Sequence, residues 1–253
     1  MRSILALVAS LIFSNLAVAA SVEEDVQRNI QIFSGEKNLH PAAADAFQWM
    51  GLSDTRLFDI IERRLLEDAD ASRDNRNEKN RVAKYMRSLG NSGQAKYEPT
   101  INKFVGDVVY ERYAREALLD LPEYKKWNPV ISNRSTFDPK LSDDANRISN
   151  MLRSDDLLLK RIGAKRVYNG TKDTREEAVL ELLEQQVRAN YARTDLKDNE
   201  RVDSVAWIVK ALGSSRNPKY EALLDEVAEK AKEGKVVRHA RETLIKFYGR
   251  SYR

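Results

Sequence analysis

The 253-residue sequence predicts an all-α protein, an α-α superhelix of antiparallel helix pairs built from two duplicated halves of about 120 residues. Two observations predict this class. Apolar residues recur at helical spacing in every well-patterned segment, and one block of sequence is repeated later in the chain. Segment 82–98 reads VAKYMRSLGNSGQAKYE and segment 205–221 reads VAWIVKALGSSRNPKYE, with eight of 17 positions identical. Because repeat proteins bury their cores by stacking similar units, this duplication indicates a helical repeat.

The duplication extends beyond the best-matched block. An offset of 119 residues aligns 22–56 with 141–175 without a gap, and it pairs Asp25 with Asp144. The offset is 123 at the repeated block and 126 further along the chain, so the length changes fall in polar loops, where folded proteins tolerate them. The predicted organisation is a signal peptide, a first half, a linker and a second half, over residues 1–20, 21–126, 127–140 and 141–253.

The first 20 residues are predicted to be a cleavable secretory signal. Arg2 precedes an apolar run from Ile4 to Phe13, and small residues follow up to Ala20. This layout is typical of export signals, and the apolar run is shorter than the roughly 20 residues that a bilayer span needs. We therefore expect a periplasmic or secreted protein of the bacterial type, with no transmembrane segment in the mature chain.

Composition narrows the classes of function. The absence of cysteine excludes disulfides, thiolate metal sites and cysteine catalysis. The 43 basic and 39 acidic residues give a formal net charge of only +4, and the two signs alternate along the chain. Nucleic-acid-binding proteins concentrate their basic residues on one face, so we expect no nucleic-acid partner.

Apolar stripes and capping residues predict the positions of successive helices. Apolar stripes with helical spacing run over 82–89 and 97–108 in the first half, and over 202–212 and 220–231 in the second. Asn217-Pro218 supplies a capping side chain and a proline suited to the first helical position.

Glycines and prolines predict where helices stop. Gly90 and Gly213 follow the apolar stripes, where a glycine in the left-handed conformation commonly ends a helix. The stretch 127–138 and the two prolines Pro129 and Pro139 predict an irregular connection between the halves.

The second half resembles the HEAT-like repeat family. Segments 200–213 (ERVDSVAWIVKALG) and 235–244 (KVVRHARETL) are similar to the second helix of such repeats, with small alanines on the packing face and a leucine near the end. Four HEAT-like helix pairs are predicted, at 54–90, 94–120, 173–213 and 217–248, and helices at 22–49 and 141–168 fit the motif less well. The resemblance implies a solenoid whose second helices line an extended binding face.

Candidate catalytic groups are few. The two histidines, His40 and His239, lie far apart in the sequence, and no nucleophile or orienting partner can be named for either. Adjacent acidic pairs such as Asp143-Asp144 diverge by about 100° on a helix and cannot converge on one atom. We therefore predict no catalytic residue, no metal site and no cofactor, and a protein that is not an enzyme.

Five residues are candidates for contact with a protein or peptide partner. Aromatic and arginine side chains dominate interface energetics, and the candidates are Trp207, Arg238, Arg241, Arg112 and Arg115. The arginines recur at equivalent places in both halves. The alternative interpretation is that Trp207 packs against a neighbouring helix and that the arginines form ion pairs with glutamates on their own helices.

The predicted function is that of an exported, non-enzymatic binding or scaffolding protein that presents a helical-repeat surface to a protein or peptide. Two alternatives remain open. One is an enzyme or enzyme accessory that resembles the HEAT-containing lyase chaperones of tetrapyrrole attachment. The other is a protein that binds an anionic polymer of the cell envelope through its mild positive charge.

Overall fold

A computed structural model describes residues 21–170 and 172–251, and the predicted signal segment 1–20 lies outside these residues. This part of the chain contains α-helices and short 3-10 turns but no β-strand, which confirms the predicted all-α class. None of its helices is long and apolar enough to cross a membrane. The helices are α1 (Val22–Ser34), α2 (His40–Met50), α3 (Thr55–Asp68), α4 (Arg76–Asn91), α5 (Glu98–Asn102), α6 (Glu111–Ile131), α7 (Asp143–Arg153), α8 (Leu157–Asn169), α9 (Glu177–Asn190), α10 (Asn199–Gly213), α11 (Glu221–Lys230) and α12 (Gly234–Tyr248).

Successive helices form pairs, and the pairs stack in two layers. The second helices α2, α4 and α6 pack side by side in the first half, as α8, α10 and α12 do in the second. We call these six helices the inner layer, because four of them line the cavity described below. The segments that fit the repeat motif poorly, α1–α2 and α7–α8, also fold as helix pairs, so each half holds three.

The repeated glycines do not end helices in the way that the sequence predicted. Gly90 and Gly213 lie inside the last turns of α4 and α10, and neither has a positive φ. They are instead places of close approach between inner helices. A Cβ on Gly90 would lie 2.8 Å from the backbone of Ala117 on α6, and one on Gly213 would lie 2.0 Å from the methyl of Thr243 on α12.

The predicted linker boundary at residue 127 falls inside a helix. The α6 helix continues to Ile131 despite Pro129, because Trp127 and Ile131 are buried against Met151 and Leu159 of the second half. This small core joins the two halves. The irregular connection is therefore limited to residues 132–142, between α6 and α7.

The buried amide of Asn128 stabilises the end of α6. Its nitrogen donates to the backbone carbonyls of Leu52, Asn91 and Ser92 at 3.2, 2.9 and 3.0 Å. Carbonyls at helix ends lack partners within their own helix, so a side-chain donor that satisfies them also fixes where the helices meet. Asn128 thereby ties α6 to the loop after α2 and to the end of α4.

A buried ion cluster also joins the halves. Asp25 of α1 is 1% exposed and forms ion pairs with Arg147 of α7, with Arg134 at 3.1 Å and with Arg28 on its own helix. The duplication makes Arg28 and Arg147 equivalent residues. Arg28 remains 58% exposed whereas Arg147 is 6% exposed, so only the second copy became part of the joint between the halves.

Candidate binding site

The inner layer forms a partly open cavity of about 550 Å³, lined by α2, α4, α6 and α8. Its volume is in the range of sites that bind small molecules. We call it the inner cavity and define it by Trp49, Arg87, Asp120, Tyr124, Trp127, Arg161 and Lys165. It forms because α8 of the second half packs against α2 and closes the space beside α4 and α6.

Aromatic rings form the apolar part of the cavity wall. Tyr124 and Trp127 meet edge to face, with centroids 5.2 Å apart, and the Trp127 indole N–H donates to Asp156 at 2.8 Å. The guanidinium of Arg166 lies 4.4 Å from the centroid of Trp49. Burial raises the pKa of the Tyr124 hydroxyl, which donates to the carbonyl of Gln48 at 3.3 Å.

Asp120 is the most perturbed carboxyl of the cavity. It projects from α6 and has neither a hydrogen bond nor an ion pair with any other described residue. Burial raises its pKa to about 6, and the negative charge of Glu116 acts in the same direction. Arg87 and Arg161 oppose this rise without cancelling it. The carboxyl is therefore ionised at neutral pH at an appreciable cost in free energy.

The arginines of the cavity have carboxylate partners at its rim. Arg87 lies 3.5 Å from Glu116, and Arg161 lies 3.6 Å from Asp203. These distances are longer than a charge-assisted hydrogen bond, so both guanidinium groups keep capacity for a further acceptor.

Lys165 of α8 has no carboxylate within ion-pair distance in the part of the chain that the structure describes. Its ammonium lies 5.2 Å from the ring centroid of Trp207. Burial lowers its pKa, and the positive charge of Arg161 adds to that effect.

A second feature lies on the adjoining face of the inner layer, across α8, α10 and α12. We call it the lysine–aromatic surface, and it comprises Lys165, Tyr168, Trp207, Lys210, Lys246 and Phe247. Tyr168 packs edge to face on Trp207, with centroids 5.5 Å apart. Lys165 borders both this surface and the inner cavity.

The lysines of this surface lie over aromatic rings and not beside carboxylates. The ammonium of Lys210 lies 3.8 Å from the Trp207 centroid, and that of Lys246 lies 4.9 Å from the Phe247 centroid and donates to the Tyr168 hydroxyl at 2.9 Å. Neither lysine has an ion pair with another described residue. The ring faces stabilise the cations, and the charges remain available to an anionic ligand.

Trp207 is the one predicted partner-binding residue that lies on the lysine–aromatic surface. It is half-buried and packs against the core of the second half, so both interpretations of this residue hold in part. The sequence did not reveal its lysine neighbours on α8 and α12, because they are distant along the chain.

The four predicted arginines are not brought together with Trp207. Arg112 and Arg115 pair with glutamates one turn away on α6, at 2.8 and 2.7 Å. Arg238 lies 3.8 Å from Glu242 on α12, and Arg241 reaches the carbonyl of Ala228 on α11 at 3.5 Å. The contacts of Arg112, Arg115 and Arg238 match the alternative interpretation of ion-paired helix faces, whereas Arg241 contacts a backbone carbonyl of the preceding helix.

Sequence alone did not identify the site residues Asp120, Arg161, Lys210 and Lys246. The duplication could have pointed to three of these residues, because they occupy positions equivalent to other residues of the site. By the offsets given above, Trp49 corresponds to Tyr168, Arg87 to Lys210 and Asp120 to Lys246. The two copies of the inner face thus carry an aromatic residue and a cation at matching positions, and they differ in charge at the third.

The histidines do not meet. His40 is fully buried, and its Nε2–H donates to the carbonyl of Ile32 at 3.0 Å while Nδ1 accepts from the Tyr85 hydroxyl at 2.6 Å. Burial lowers the pKa of His40. His239 lies 2.8 Å from the carboxylate of Glu242. Within residues 21–170 and 172–251, no three side chains of histidine, cysteine, aspartate or glutamate are grouped as a metal site would require.

Another cleft, of about 590 Å³, lies at the loops beside α8 and α10. Its basic groups have acidic partners: Lys126 pairs with Glu123 at 2.9 Å and Arg201 with Asp198 at 3.2 Å. Because each basic group that lines this cleft already has an acidic partner, we place the candidate site at the inner cavity and the lysine–aromatic surface.

Comparison with known proteins assigns the chain to no family and finds a low structural similarity to a solved protein. No protein-family profile matches the sequence, and no curated protein matches it. Among solved structures, the chain is similar to human deoxyhypusine hydroxylase in complex with glycerol. The identity is 14%, the TM-score is 0.36, and the match covers 89% of this chain and 85% of the other.

The prediction that the protein is not an enzyme is contradicted by this comparison, since the matched protein is named as a hydroxylase, and we do not retain it. The physical reason for the error is that a lack of recognisable catalytic motifs in a sequence does not exclude groups that folding brings together. At this TM-score the likeness assigns no activity to the chain.

Proposed function

We propose that the protein binds an acidic peptide segment of a protein partner on its lysine–aromatic surface. The observation that carries the proposal is the grouping of Lys165, Lys210 and Lys246, on three neighbouring inner helices, without a carboxylate partner among the described residues. Several lysines elsewhere on the helices, such as Lys230 with Glu226 at 3.2 Å, do have one.

The chemistry of the surface favours a segment that carries both acidic and apolar side chains. Carboxylates of the segment would pair with the three ammonium groups, and its apolar side chains would pack on the faces of Trp207 and Tyr168. Half-buried rings supply most of the binding energy at protein interfaces, and the charges supply orientation and rate of association. A segment with acidic and apolar side chains can contact both the lysines and the aromatic rings, whereas an anionic polymer without apolar groups can contact only the lysines.

The proposal is tested by fluorescence anisotropy with a fluorescein-labelled peptide of Glu-Glu-Leu repeats. We expect saturable binding that weakens with added salt, because screening acts on exposed charges. The double substitution Lys210→Met and Lys246→Met is expected to weaken binding about tenfold or more. The matched control is Lys230→Met on α11, which removes a lysine outside the surface and is expected to leave binding unchanged.

Two outcomes would overturn the proposal. Equal binding of a peptide with glutamine at every glutamate position would show that the acidic groups are not recognised. Binding of polyphosphate, with no binding of the peptide, would favour the anionic-polymer function instead.

A further inference from the structure

The inner cavity contains one acidic and one basic side chain that lack a partner of opposite charge, and these two do not pair with each other. Asp120 projects from α6 and Lys165 from α8. Neither forms an ion pair within 4.0 Å with any residue in 21–170 or 172–251. Both side chains are partly buried, and partial removal of a charge from water without a partner of opposite sign costs free energy.

The other charged groups of the cavity differ from this pair. Asp45 pairs with Lys84, and Arg166 pairs with Asp144. The two remaining arginines have the rim glutamate and aspartate described above. The charges of the cavity without a partner of opposite sign are therefore one negative, on α6, and one positive, on α8.

Part of the cavity lining is apolar. Tyr124 and Trp127 line it from α6 and Ile162 lines it from α8. An occupant that met both charges would place its hydrocarbon part against these side chains, where burial of apolar surface contributes to binding.

We propose that the inner cavity binds a small zwitterionic molecule of the amino-acid or short-peptide class, with its ammonium group on Asp120 and its carboxylate on Lys165. Such a ligand carries one positive and one negative charge, which are the partners that Asp120 and Lys165 lack. The site shares Lys165 with the acidic-peptide surface but is otherwise separate from it, since Asp120 does not contribute to that surface and Lys210 and Lys246 do not line the cavity.

Isothermal titration calorimetry at about pH 7.5 tests the proposal with leucine, dileucine and trileucine as probes. The three lengths distinguish a free amino acid from a peptide as the zwitterion. The controls are N-acetyl-leucine and leucine amide, which each lack one charge, and both are expected to bind about tenfold more weakly or worse. Asp120→Asn and Lys165→Met should each weaken the preferred zwitterion by a similar factor, while Lys246→Met should not change its affinity.

The pH dependence gives a second readout. Asp120 is faced by Glu116 and Glu123 on its own helix, by Arg87 on α4 and by Arg161 on α8. With a pKa of about 6, its ionised fraction falls to about a tenth at pH 5, so affinity for the zwitterion should fall about tenfold from pH 7.5 to pH 5. The Asp120→Asn protein should show no such change.

The proposal is overturned if none of the three zwitterions binds saturably, or if the singly charged analogues bind as well as the zwitterions. Unchanged affinity in Asp120→Asn would overturn it as well. The Asp120→Asn results do not bear on the acidic-peptide surface, whose three lysines are intact in that variant. Lys165→Met changes both sites, so Asp120→Asn is the variant that distinguishes a failure of this proposal from a failure of the acidic-peptide proposal.

Discussion

Asp120 carries a carboxyl group that folding removes from water without supplying a partner. The unfolded chain leaves this group at its ordinary pKa of 3.8, and the folded protein raises the pKa to about 6. The folded state therefore binds the proton more tightly than the unfolded state does. The resulting cost to stability is absent below the unfolded pKa and fully present above the folded pKa.

We accordingly expect Asp120→Asn to stabilise the protein at pH 7.5, by about 2 kcal/mol once partial solvent access is allowed for. The gain should shrink as the pH falls through 6 and vanish near pH 4. Urea denaturation at several pH values measures it. A variant that is less stable than wild type at pH 7.5 would mean that the ionised carboxylate has a stabilising partner.

Sequence alone could not have identified Asp120 as special. On α6 it follows Leu119 and precedes Leu121, among many acidic residues with similar surroundings. Its environment comes from Arg87 and Arg161 on other helices, and only the packing of α4 and α8 around α6 decides that.

At the scale of elements, the repeated glycines set how closely the inner helices pack. Gly90 meets Ala117 where α4 crosses α6, and Gly213 meets Thr243 where α10 crosses α12. The residues met are themselves equivalent, at the offset of 126. The duplication therefore preserved a crossing point between helices, with a glycine on one side of it.

We predict that Gly90→Ala destabilises the protein by about 1–3 kcal/mol, although alanine is the better helix former, because the added methyl meets the backbone of α6. Gly213→Ala should also destabilise it. In that case the obstructing atom is a side-chain methyl, so adding Thr243→Ala should restore much of the loss. Thermal unfolding of the single and double variants measures both effects, and a Gly90→Ala protein as stable as wild type would contradict the close crossing.

The helices and their order were predictable, since apolar periodicity and capping residues are local properties of the chain. The function of the glycines was not. A glycine after an apolar stripe is typical of a helix end, and the sequence does not show that a second helix crosses at the same point.

At the scale of the whole molecule, the halves are held together by the small core around Trp127 and by the ion cluster of Asp25. The predicted linker at 127–140 included part of that core. Trp127 and Ile131 fall within the stretch that Pro129 and Pro139 predicted to be irregular, whereas burial against α7 and α8 keeps them helical.

We expect Arg147→Met to lower the free energy of unfolding by about 3 kcal/mol, because it leaves the buried carboxylate of Asp25 with weaker pairing. Arg28→Met, at the equivalent position of the first half, should cost less than about 1 kcal/mol because Arg28 is largely exposed. Urea denaturation of the two variants compares them directly. Equal losses would show that the joint between the halves does not depend on this ion pair.

The sequence by itself determined the all-α class, the duplication, the order of the helices and most of their buried stripes, because these depend on spacing along the chain. The stripe predicted over 97–108 is wrong beyond its first residues, since α5 ends at Asn102 and Val108 is 98% exposed. Export through residues 1–20 and membership of the HEAT-like family stay predictions from sequence. Only the tertiary structure decided where unpaired charges come together. The inner cavity and the lysine–aromatic surface each take side chains from three or four helices, and a periodic sequence specifies which face of a helix is buried but not which charges face one another across the layer.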